Sequence, residues 1–72
     1  MTGPTLYLSR RTAASGALAY NVIYHCLPLI PETTDYAVAH LALARAAAQT
    51  RVPMPTEAWD GDAGRFVKDG AL

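Results

Sequence analysis

Between Thr12 and Ala48 the chain runs for 37 residues with only three charged side chains, Glu32, Asp35 and Arg45. Eleven of those positions are alanine. A helix that is apolar all round must be covered all round, and a 72-residue chain has little other material to cover it. The stretch therefore predicts a partner, either a second copy or another molecule. The remaining charges sit at Arg10, Arg11 and from Arg51 onward.

Size sharpens that expectation. A chain of this length forms one domain (residues 1–72) and buries only about 60% of the surface its unfolded form exposes. Small proteins make up the deficit with disulfides, a metal or oligomerisation. Cys26 is the only cysteine, so no internal disulfide is possible. Net charge is zero, with six basic and six acidic residues. Nucleic-acid binders need a basic stripe to neutralise phosphates, and the pair Arg10-Arg11 is too little for one. Nucleic acid is not an expected partner.

Residues 1–11 read as an N-terminal arm, with a loose start at Met1–Pro4. Within it Thr5–Ser9 alternates, Leu6 and Leu8 on one side and Thr5, Tyr7 and Ser9 on the other, the period of a short strand. Residues 12–51 read as an antiparallel hairpin of two helices, about 12–27 and 34–51, so the expected fold class is mainly α. Thr12 is the start signal of the first helix, and Pro28 ends it. Steps of 100° put Ala13, Gly16, Tyr20, Ile23, Tyr24 and Leu27 on one face and Ser15, Leu18, Ala19, Val22 and Cys26 on the other. Pro28-Leu29-Ile30-Pro31 is a rigid connector. Thr33-Thr34-Asp35 starts the second helix and Pro53 follows its end. Its alanines, spaced four apart as in Ala42–Ala46 and Ala44–Ala48, predict a close helix–helix approach. Residues 52–72 read as an irregular tail with room for a short strand at 65–68 and a free end.

Residues 12–31 carry no charge over a length that spans a bilayer. Asn21, His25 and Pro28 dilute the run, so a single-span membrane subunit is the alternative rather than the main expectation. Ser9-Arg10-Arg11-Thr12 resembles a twin-arginine export signal but lacks large apolar residues after the arginines. The expected location is cytoplasmic.

The residues that carry chemistry are few. His25, Cys26 and His40 are the soft metal ligands, yet the paired short spacings of a zinc site are missing. Adjacent His25 and Cys26 diverge on a helix, which disfavours a catalytic pair. Asp60-x-Asp62-x-Gly64 opens like a calcium loop, but Gly64, Arg65 and Ala71 occupy the places that need an oxygen ligand, glycine and glutamate. No enzyme activity, metal or cofactor is expected.

Partner binding is what remains. Trp59, Met54 and Phe66 are large apolar side chains on a Pro- and Gly-interrupted backbone, and Trp and Met are enriched in interface cores. Tyr20, Tyr24 and Leu41 join them as candidate contacts from the helices; each tyrosine pairs apolar area with a hydroxyl. The expected function is a non-catalytic protein–protein interaction module. It would self-associate as a dimer, or bind a larger protein as a regulator or inhibitor, of bacterial, phage or mobile-element origin. A structural component of a larger assembly, such as a phage particle, is a further alternative.

Overall fold

The structure, a computed structural model, describes residues 4–71. The loose start expected at Met1–Pro4 therefore lies outside the described residues except for Pro4, and so does Leu72 of the free end. Five strands form one mixed sheet: β1 (Leu6–Thr12), β2 (Leu18–Tyr24), β3 (Leu27–Pro28), β4 (Glu57–Asp60) and β5 (Arg65–Lys68). One helix, α1 (Tyr36–Thr50), lies between β3 and β4, and a single 3-10 turn follows β5. The sheet order is β3-β2-β1-β4-β5. β1 and β4 are parallel, and every other neighbouring pair is antiparallel.

The mainly α hairpin is thus overturned. Residues 12–27 hold the end of β1, a turn and β2 rather than a helix. Tyr20-Asn21-Val22-Ile23-Tyr24 is rich in aromatic and β-branched residues, which fit a pleated surface better than a helix. Tyr20 and Val22 are buried on one face while Asn21 and Ile23 take the other. Before them Gly16 has φ +88°, a left-handed conformation that closes the turn and that no α-helix contains. Low charge and abundant alanine had the look of a helix, but the strand period decided this segment. The tail holds the short strand expected at 65–68, and the rest of it is not all irregular: 57–60 is a second strand that pairs with 65–68, Trp59 facing Phe66 in register.

Helix α1 starts where Asp35 caps it, its carboxylate accepting from the Ala37 N–H at 2.9 Å. It ends at Arg51, whose φ of +58° turns the chain out of the helix. Ala39, Leu43, Ala46 and Ala47 form its buried stripe. They pack on Leu6, Leu8, Tyr20, Val22 and Ala58 of the sheet, the core of the molecule. The alanines do allow a close approach, but to a sheet and not to a second helix. Near the far end of β1, Arg10 and Asp60 form a largely buried ion pair at 3.1 Å. Asp62 accepts from the Thr12 N–H at 3.0 Å and from the Thr12 hydroxyl at 2.5 Å. These bonds fasten the β4–β5 hairpin to β1.

Candidate binding face on the open side of the sheet

Among the described residues one helix covers the sheet, on one side, and the other side is uncovered. Along β1 the alternation sends Leu6 and Leu8 under α1 and Tyr7 and Ser9 to the other side. The same period places Asn21 and Ile23 of β2, Trp59 of β4 and Phe66 of β5 with Tyr7. The result is an aromatic cluster drawn from both ends of the sequence. Phe66 stands edge-on to both neighbours, 5.1 Å from Tyr7 and 5.0 Å from Trp59 between ring centroids. Such perpendicular pairs suit the ring quadrupoles and hold the three side chains in place.

Beside the cluster opens a cavity of about 520 Å³, lined by Pro4, Thr5, Tyr7, His25, Cys26, Trp59 and Phe66. Its rim is fixed by the His25 N–H, which donates to the Thr5 carbonyl at 3.0 Å. His25 and Cys26 form the two-residue turn between β2 and β3, with φ of +49° and +66°. They therefore project from a tight turn, and the sequence-level picture of two residues diverging on a helix does not apply. Burial raises the Tyr7 phenol above its ordinary 10.0, and the nearby Cys26 thiolate would raise it further. The hydroxyl consequently stays a neutral donor through the physiological range. Opposite charges, Glu57 and Lys68, face each other in register at one margin, so the face offers aromatic area with little net charge.

The six candidate partner residues separate in space. Trp59 and Phe66 come together on the open face. Tyr20 is buried in the core and packs edge-on to Tyr36 at 5.4 Å. Tyr24 is half-buried against that core, its ring 4.3 Å from His25. Met54 is 44% exposed on the extended segment before β4, and Leu41 is 53% exposed on the outer side of α1. Leu41 does not stand alone: Val38, also half-exposed, and Leu29 border the same groove along the helix. Tyr7 was not among the six, although the Leu6-Tyr7-Leu8 alternation already assigned it to the side away from the core.

Residues 12–31, weighed above as a membrane span, hold the end of β1, two turns and the strands β2 and β3. Among the described residues no helix is long and apolar enough to cross a membrane. Among the same residues no three His, Cys, Asp or Glu side chains group as a metal site would need. No family model matches the chain, and no curated protein or solved structure matches it. Geometry alone carries the functional argument.

Proposed function

We propose that this chain is a small, non-catalytic protein-binding module of the cytoplasm that docks a larger protein on the uncovered side of its sheet. One observation carries the reading: Tyr7, Trp59 and Phe66 are gathered from β1, β4 and β5 onto a face that no element of the described chain covers. Rigid aromatic side chains beside a concavity are what interface anchors are made of, because they bury much area at small entropic cost. The charge balance of the face favours protein over nucleic acid, whose phosphates call for a basic surface. Affinity capture from a bacterial lysate tests this. The wild-type chain should retain a specific partner and Trp59→Ala should lose it, with a circular dichroism spectrum like the wild type. Equal capture by both removes the face from the argument.

A second reading, self-association, draws on a different surface. Val38, Leu41 and Leu29, each about half exposed, form an apolar strip along α1. Sedimentation at rising concentration distinguishes the two: a dimer abolished by Leu41→Glu supports this strip, and a monomer throughout sinks it.

A further inference from the structure

The two edges of the sheet are not alike. On one side β3 is only two residues long and includes Pro28, which has no N–H to offer. Next to it, Tyr20 and Thr33 exchange backbone bonds at 2.7 and 3.0 Å, which covers the start of β2. Short length, proline and a covering bridge all close an edge to further pairing. The other edge is β5, and no strand pairs its outer side among the described residues. Resting on the reading that the open face binds protein, we propose that β5 accepts an extended acidic segment of the partner as an additional strand.

The occupant follows from the charges of β5. Arg65 and Lys68 bracket Phe66 and Val67, and both cations are exposed. A second copy is a poor guest: two-fold antiparallel pairing sets one residue against its own copy, and no such register within Arg65–Lys68 brings a carboxylate opposite either cation. A strand with acidic residues at those two places does the opposite. On the inner side β4 already sets Glu57 against Lys68 and Asp60 against Arg65, so an acidic guest continues a ladder of alternating sign. Between the acids, the guest residue beside Val67 lies on the helix side of the sheet. The one beside Phe66 lies on the open side, next to the aromatic cavity. The partner sequence this edge selects is acidic, aliphatic, aromatic, acidic, and the charge pattern is the same in either strand direction. Main-chain bonds supply affinity in such strand addition and the alternate side chains supply specificity.

The test uses capped synthetic peptides on the full chain, read by calorimetry and by Trp59 fluorescence. One has the core Asp-Val-Phe-Glu, a second has both acids replaced by lysine, and a third repeats the first with methylated backbone nitrogens. The acidic peptide should bind at least about tenfold more tightly than the basic one. Backbone methylation should remove most of that binding, a result independent of any protein variant. The double variant Arg65→Glu with Lys68→Glu should invert the charge preference. Equal affinity for acidic and basic peptides, or undiminished binding after methylation, overturns strand addition at β5. So does a failure of the acidic peptide to bind. If in that case Trp59→Ala still loses the captured partner, the open face remains the docking site by another mode. Preferential binding of a single-stranded oligonucleotide overturns both.

Discussion

At the scale of single residues, the turn between β2 and β3 holds two side chains where the backbone favours glycine or asparagine. His25 and Cys26 both have positive φ, the geometry of a hairpin turn in which Asn-Gly is the preferred pair. Left-handed backbone costs a residue with a Cβ roughly 1 kcal/mol or more. Replacing His25 by Asn together with Cys26 by Gly is expected to stabilise the fold by about 1 kcal/mol, a rise of several degrees in Tm by thermal melting. Gly61 shows the reverse situation. Its N–H donates to the Arg10 carbonyl at 2.7 Å, and a Cβ there would lie 2.8 Å from that same oxygen. Gly61→Ala should therefore lower the denaturation midpoint by separating β1 from the loop after β4.

Asp62 and Asp60 link residue chemistry to pH. The Thr12 hydroxyl and N–H hold the Asp62 carboxyl below its ordinary 3.8. The Ala63 N–H, with Arg10 and the Asp62 N–H, does the same for Asp60. A carboxylate whose folded pKa is depressed adds stability that is fully present above its unfolded value and disappears as pH falls through the folded one. Stability is accordingly expected to be flat from neutral pH down to about pH 5 and to decline below about pH 4. Denaturant titrations across that range would show it, and Thr12→Val should make the decline shallower.

At the scale of elements, α1 is set against the sheet by small side chains. Ala39 is fully buried, and Ala46 and Ala47 nearly so. Ala39→Leu would force the helix away from the sheet it packs on, and overpacking of this kind costs about 1–3 kcal/mol. Urea denaturation should show a lower midpoint for that variant, while Ala48→Leu on the exposed side should change little. The helix illustrates which elements a sequence declares. Asp35 at its start, Pro53 beyond its end and a run of good helix formers all act locally, and the helix occupies Tyr36–Thr50. β2 was hidden by the opposite circumstance. Its hairpin turns lack the usual markers, one being His25-Cys26 and the other Ala13–Ala17 with a lone Gly16. Placed at helical steps, its residues made two apolar faces as readily as they alternate. Of the candidate binding face, Trp59 and Phe66 were legible from side-chain type alone. Tyr7 joins them only because β1 lies beside β4, a pairing across some fifty residues that no local pattern encodes.

At the scale of the whole molecule, a sheet with one helix on it explains why so small a chain exposes so much apolar surface. A 15-residue helix covers one side, and among the described residues the aromatic side has no counterpart. The expectation of a partner began from two apolar helices, and its basis moves to an uncovered sheet. Placement of β1 between β2 and β4 also sets the consequence of shortening the chain. Removal of residues 57–71 would leave β1, with Leu6 and Leu8, as an open edge. Exposed apolar edges pair with one another, so light scattering should reveal aggregates of the shortened chain where the full chain stays dispersed.

The parallel seam between β1 and β4 has a bearing on timing. During synthesis β1 emerges first, and its second neighbour is made only after the helix. Contacts this distant in sequence form late, once the loss of chain freedom between them is repaid. Tyr7 waits on that seam for Trp59 and Phe66. A nascent or partly opened chain therefore lacks the assembled aromatic face, and attachment of a partner at the proposed site would act as a report that the last hairpin has docked.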